Sequence, residues 1–159
     1  MDFTIRPSQK EDMPQVLKLI QELAVFEKED NVVEVTVSDL ERSGFGPEKH
    51  FHCFVAENED VVVGMALVYP RYSTWKGPII HLEDLIVTEN MRGSGLGTAL
   101  LNEVVKYGRN LGVKRISWEV LDWNEPAIDF YKSKGADVKR DWDVVHLDEK
   151  GIANYLVNI

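Results

Sequence analysis

Apolar positions along this chain recur at two different periods, and the places where the period changes predict its elements. Phe3 to Arg6 reads as a short strand. Ser8 followed by Glu11 forms a capping box for a helix whose apolar positions Val16, Leu17, Ile20, Leu23 and Ala24 recur at helical spacing and which fades near Glu29. Thr36 with Asp39 starts a second, shorter helix, ended by Gly44-Phe45-Gly46-Pro47. Phe51 to Glu57 and Val61 to Tyr69 read as two strands of a hairpin joined by the polar turn Asn58-Glu59-Asp60. Ile79 to Val87 is almost continuously apolar, as expected of a central strand buried on both faces, and Ala99 to Asn110 is helical. Lys114 to Val120 is the next strand, and Asn124 caps a helix that carries Pro126 in its first turn and closes at Gly135. Trp142 to Leu147 reads as a last strand, and Ile152, Tyr155, Leu156 and Ile159 fit a short terminal helix. Strands and helices in this order imply an α/β fold, a mixed central sheet with helices on both faces. Without repeats, linkers or low-complexity tracts, residues 1–159 are expected to form a single domain.

Between the central strand and the helix after it lies Arg92-Gly93-Ser94-Gly95-Leu96-Gly97-Thr98. Glycines at alternate positions remove side chains, so the backbone can approach a phosphate while N–H groups and the positive helix end point at it. The dinucleotide pattern G-x-G-x-x-G fails at Thr98, and the Gly-Lys-Ser/Thr of a nucleotide-triphosphate loop is absent. The stretch does fit R-x-x-G-x-G, from Arg92 through Gly95 to Gly97.

Composition narrows the partners. The chain has 159 residues, 44% hydrophobic and 28% charged, as in an ordinary globular domain. Eighteen Lys and Arg against 27 Asp and Glu give a net charge of −9, which repels nucleic acid and favours cationic partners. No run approaches the ~20 apolar residues of a membrane span, and the first residues lack a signal-peptide layout. The lone Cys53 agrees with a reducing compartment, so a cytoplasmic location is expected. His50 and His52 share one strand face, but no third ligand is evident, so no metal is expected.

Two further patterns carry chemistry. Glu83 and Asp84 are adjacent carboxylates inside the apolar run, and strict alternation sends them to opposite faces, so at least one points into covered space. Tyr131 follows Asn124 by two helical turns, in the pattern N-x-x-A/S-x-x-x-Y, so the two share a helix face. Taken alone, Tyr131 would equally serve core packing.

The glycine motif and the Asn124–Tyr131 pattern, in this order, resemble the Gcn5-related N-acetyltransferase superfamily. Leu23-Ala24-Val25-Phe26-Glu27-Lys28, Gly44-Phe45-Gly46, Phe51 to Glu57, Tyr72-Ser73-Thr74-Trp75-Lys76-Gly77, Leu82-Glu83-Asp84 and Val120-Leu121-Asp122-Trp123-Asn124 look like its diamine acetyltransferase family, closest to the thialysine N-epsilon-acetyltransferase branch. The resemblance implies acetyl-CoA as cosubstrate, no metal, a small-molecule amine as acceptor and a homodimer. It implies that strands 79–87 and 114–120 run parallel and splay apart to admit the cofactor arm. It also implies cofactor contacts at Leu85, Ile86, Val87, Arg92, Gly93, Ser94, Gly95, Leu96, Gly97, Thr98, Asn124, Glu125, Pro126, Ala127 and Tyr131. Tyr131 is implied as general acid and Glu83 as the carboxylate that deprotonates the amine, with Phe26, Glu27 and Glu83 contacting substrate. Trp75 is a candidate wall of the substrate pocket, where its ring would attract an ammonium.

The chain also departs from the pattern: Ser73 stands where the spermidine/spermine branch has an aspartate, Phe26 lacks the hydroxyl of the family's usual tyrosine, and the Asn58-Glu59-Asp60 turn is shorter than the corresponding loop of some members. The reaction implied is direct acetyl transfer in a ternary complex to a lysine-like amine or diamine. Spermidine or spermine acetylation, acetylation of protein amines and a non-catalytic coenzyme A-binding module stay open at this point.

Overall fold

The computed structural model describes residues 2–157 and 159, so Met1 and the Asn158 of the predicted terminal helix lie outside the described residues. It divides into two compact units, Met1–Glu119 and Val120–Ile159. The first contains a sheet in the order β1 (Thr4–Pro7), β2 (His52–Asn58), β3 (Val61–Ser73), β4 (Gly77–Val87), β5 (Ile116–Ser117). Neighbours are antiparallel except β4 and β5, which are parallel, so the sheet is mixed as expected.

Helices cover both faces of this sheet. α1 (Met13–Phe26) and α2 (Val37–Phe45) bury Met13, Val16, Leu19 and Leu40 against Cys53, Val55, Met65 and Leu67. Between Cys53 and Val55 on β2, Phe54 points the other way and meets Tyr107 of α3 (Leu96–Leu111) edge-on, with centroids 5.7 Å apart. α3 lies so close to the sheet that a Cβ at Gly64 would sit 3.2 Å from Leu100.

The first helix begins differently from its predicted cap. Ser8 is still tied to the sheet, its N–H donating to the Cys53 carbonyl at 2.8 Å. Asp12, rather than Glu11, accepts from the Gln9 N–H at 2.6 Å, ending a short 3₁₀ turn, and also receives both terminal nitrogens of Arg6. Arg6 holds the Asp12 carboxyl below the usual carboxylate range, which makes burying it affordable. Thr36 and Asp39 cap α2 as predicted, each side chain receiving the other's backbone N–H. Glu59 and Asp60 both take positive φ, the geometry of the tight hairpin turn between β2 and β3.

β3 and β4 outrun their predicted bounds and form a long hairpin up to Ser73↔Gly77. β5 is shorter than the predicted 114–120: it pairs only Ile80↔Ile116 and His81↔Ser117. From Leu82 onward that edge of β4 has no ladder partner among the described residues.

The second unit holds α4 (Glu125–Ser133) and α5 (Glu149–Val157). The predicted strand at Trp142 to Leu147 does not form. Alternation makes a strand only where a second strand satisfies its backbone, and here Trp142 and Val145 are exposed. No helix among the described residues is long and apolar enough to cross a membrane.

One irregularity in β4 decides where its carboxylates point. Leu67 pairs with Asp84 and Val68 with Leu82, so Glu83 is an extra residue, a β-bulge. Asp84 therefore shares the α1 face with His81, which pairs with Tyr69 two places from Leu67. Glu83 turns to that same side, toward His81. The alternation that would separate Glu83 and Asp84 is broken, and both lie on one face. Burial first, then the charges of Glu83 and Glu27, push the Asp84 carboxyl up to about 7. Its folded value lies above its unfolded one, so the folded state holds the proton more tightly and stability falls as pH rises from about 4 to about 7. Asp84→Asn should therefore be more stable than the parent at pH above 7, by roughly 1–3 kcal/mol, with the gain fading toward about pH 4. Urea unfolding across this range checks it, and a variant less stable than the parent at high pH would count against the desolvated carboxylate.

Candidate active site

The glycine turn follows directly from β4. Thr88 donates its hydroxyl to Glu22 of α1 at 2.9 Å, and the Glu89 N–H donates to the same carboxylate at 2.9 Å, which anchors the segment between strand and turn. Gly93 and Gly95 take φ of 75° and 89°, left-handed values that favour glycine, and Gly95 is the N-cap of α3. The next N–H groups, of Leu96, Gly97 and Thr98, open the helix and have no carbonyl one turn back to bond. A Cβ built at Gly93 or Gly95 meets nothing within 4 Å, and one at Gly97 only just touches Val87. The space in front of these donors is clear, and it fits the pyrophosphate of coenzyme A, for which positive φ and bare backbone are needed.

Arg92 has a different environment from the glycines it precedes. Its Nε donates to the Val87 carbonyl at 3.1 Å, its Nη2 lies 3.9 Å from Glu22, and its guanidinium stacks 5.0 Å from the centre of the Phe26 ring. The side chain thus braces the turn against β4 and the end of α1.

On the α1 face, Asp84 feels the charges of Glu83 and Glu27, and Glu27 feels that of Glu83. Glu27 follows the last residue of α1, and its carboxyl is raised by burial, then by Glu29 and Glu83. Several carboxylates that share a partly desolvated surface hold an unfavourable like-charge energy, which a cationic ligand relieves. Phe26 sits beside them, 39% exposed.

Trp75 is not part of this group. It caps the exposed tip of the β3–β4 hairpin, four residue pairs and roughly 13 Å along the strands from Tyr69↔His81, and is 78% exposed. Ser73 forms the turn there, its Oγ accepting from the N–H groups of Trp75 and Lys76, each at 3.2 Å.

The second unit holds α4. Asn124 is its N-cap, with Oδ1 accepting from the Ala127 N–H at 3.4 Å, and Glu125 and Pro126 open the helix. Tyr131 lies in the last two turns, partly buried beside Phe130.

The structure also gathers residues that the sequence did not single out. His81 of β4 is buried, Tyr69 packs against it with centroids 5.3 Å apart, and Ser117 and Arg71 reach its Nδ1. Its place two residues before Glu83 was the available signal, since alternation puts such a pair on one face.

Comparison with known proteins agrees with this geometry. Residues 15–136 match the acetyltransferase (GNAT) family. The mouse thialysine N-epsilon-acetyltransferase is 38% identical over 140 residues, covering 83% of this chain and 82% of that protein. The human spermidine/spermine N(1)-acetyltransferase-like protein 1 is 35% identical over 84% of this chain, which spans 20% of that longer protein. Among solved structures, an integron cassette protein from the mobile metagenome of V. cholerae superposes with a TM-score of 0.80 at 22% identity, covering 98% of both chains, a likeness of fold. With a family match that runs from the first helix through α4 and relatives that align over most of its length, the chain belongs to the GNAT family and is an acetyl-CoA-dependent N-acetyltransferase.

Proposed function

We propose that residues 1–159 work as a single domain that acetylates the primary amine of a small, lysine-like cation such as thialysine, by direct transfer within a ternary complex. The observation that carries this reading is the bulge at Glu83. It gathers Glu83 and Asp84 with Glu27 on one face of the strand whose end feeds the glycine turn. An anion cradle and a cation site on one strand suit a pyrophosphate-bearing donor and an amine acceptor.

Acetyl-CoA, when bound, supplies the activated acetyl group. The backbone of Gly93, Ser94, Gly95, Leu96, Gly97 and Thr98 would hold its pyrophosphate, with Arg92 bracing the turn. The edge of β4 at Leu85, Ile86 and Val87 would hold its arm, together with Asn124, Glu125, Pro126 and Ala127. A primary amine with a pKa near ~10.4 arrives as an ammonium, so a proton must leave before nitrogen can attack. Glu83 Oε takes that proton, through an ordered water. A backbone N–H near Leu85 would donate to the acetyl oxygen, and the Tyr131 hydroxyl would supply a proton to the departing thiolate.

The acceptor reading rests on the thialysine relative and on Ser73, whose hydroxyl is occupied in the hairpin turn and brings no charge. A polyamine is the second reading, favoured by the number of carboxylates on the α1 face and by the human relative. A homodimer is part of the proposal, supported by the exposed Trp142, Val144, Leu147, Tyr155 and Leu156 near the C-terminus. A cytoplasmic location is supported by the single, unpaired Cys53.

A coupled thiol-release assay tests the acceptor. Thialysine should give the highest kcat/KM in a panel with lysine, diamines, spermidine and spermine. Ser73→Asp, which can accept the same two turn N–H groups, should shift the ratio toward the polyamines. A parent enzyme that prefers spermine would overturn the assignment.

Tyr131→Phe keeps the ring and deletes the proton. Turnover should fall roughly 10²–10⁴-fold while coenzyme A affinity, measured by calorimetry, stays within about twofold. Near-normal turnover would remove Tyr131 from the role of general acid.

A further inference from the structure

Glu83 is 53% exposed and stands on a bulge, outside the regular ladder, so neither packing nor strand pairing fixes its side chain. A base in that position needs orienting groups. Two side chains from the sheet face it: His81, whose Nε2 is 3.8 Å from Glu83 Oε2, and Tyr69, whose hydroxyl is turned to the same carboxylate.

The imidazole is held in one tautomer by chemistry on its far side. Arg71 Nη1 lies 3.4 Å from His81 Nδ1. A guanidinium has hydrogens to give and no lone pair to offer, so its place beside Nδ1 favours a bare lone pair on that nitrogen. Ser117 Oγ, 2.9 Å from the same nitrogen and the nearer of the two, can give its hydroxyl hydrogen to that one lone pair while Arg71 acts by its charge. The one hydrogen of the neutral ring is left on Nε2, the nitrogen that faces Glu83.

Every neighbouring element contributes to this choice. β3 supplies Tyr69 and Arg71, β4 supplies Glu83, and β5 supplies Ser117, with Glu119 just beyond it. Burial, with Arg71, holds the His81 pKa below its ordinary value against the opposing pull of Glu83 and Glu119, so the ring is neutral at neutral pH.

From this geometry we propose that His81 is a positioning residue: fixed as the Nε2–H tautomer by Ser117 and Arg71, it donates to Glu83 and aims that carboxylate at the water that relays the acceptor's proton. The proposal rests on Glu83 being the base. The 3.8 Å gap closes by a small rotation of the half-exposed Glu83 side chain when the acceptor is in place. Ser117, Arg71 and His81 touch neither donor nor acceptor in this scheme; they act through Glu83.

The test uses the full-length protein and thialysine as the acceptor probe. His81→Gln keeps an N–H close to the Nε2 position and His81→Leu removes it. His81→Leu should lower kcat roughly 10–100-fold with the KM for acetyl-CoA unchanged, and His81→Gln should recover most of the loss. Long-range ¹H–¹⁵N spectra of the unmutated protein should show His81 as the neutral Nε2–H form, a readout independent of turnover and of the stability of any variant. Equal losses in the two variants, full activity in His81→Leu, or an Nδ1–H tautomer would each overturn the proposal. Glu83→Gln serves as the reference: if it retains full activity the base reading itself fails, whereas a loss in Glu83→Gln without one in His81→Leu rejects the positioning role alone.

Discussion

The extra residue in β4 is the constraint on which the carboxylate cluster of this protein depends. In a regular ladder Glu83 and Asp84 would point to opposite faces, one toward α1 and the other toward α3. With Leu67 opposite Asp84 and Val68 opposite Leu82, both carboxylates turn to the α1 face, where Glu27 waits at the helix end. The cost is visible in Asp84, whose proton is held up to about 7 by burial and by its anionic neighbours. Evolution seldom keeps a like-charge group this desolvated for stability alone, and an arriving ammonium relieves the repulsion.

The same strand carries the other half of the chemistry. Its pairing with β5 ends at His81↔Ser117, beyond which that edge has no ladder partner among the described residues, and its end runs into a turn whose glycines adopt left-handed φ and bear no side chains before the first N–H groups of α3. Glu22 and Arg92 tie this turn to α1, and the Arg92 guanidinium lies on Phe26, one residue before Glu27. The cradle and the carboxylates are therefore braced by the same helix.

Much of this was legible in the sequence, because the signals were local. The glycine turn, the Thr36–Asp39 cap, the Asn124 cap and the buried run of β4 each depend on residues a few places apart. What sequence missed depends on partners distant in the chain. The bulge at Glu83 exists only in the register between β3 and β4. The environment of His81 is assembled from three strands, and Asp12 replaced Glu11 at the first helix because Arg6 claims it. Trp142 to Leu147 has strand-like alternation but no strand paired to it, so pattern without a partner overstated the element. Trp75, a candidate pocket wall by its chemistry, stands at the exposed tip of the β3–β4 hairpin, a place set by the length of that hairpin and not by the chemistry of the residue.

The central claim is that Glu83 removes the proton from the acceptor ammonium, and the pH dependence of its loss tests this most directly. With thialysine and saturating acetyl-CoA, the ratio of kcat/KM between the parent and Glu83→Gln should be largest near about pH 7 and shrink steadily toward about pH 10, where the amine, with pKa near ~10.4, sheds its own proton without help. A ratio that stays constant across that range, with coenzyme A affinity unchanged, would contradict the account and make Glu83 a binding residue instead.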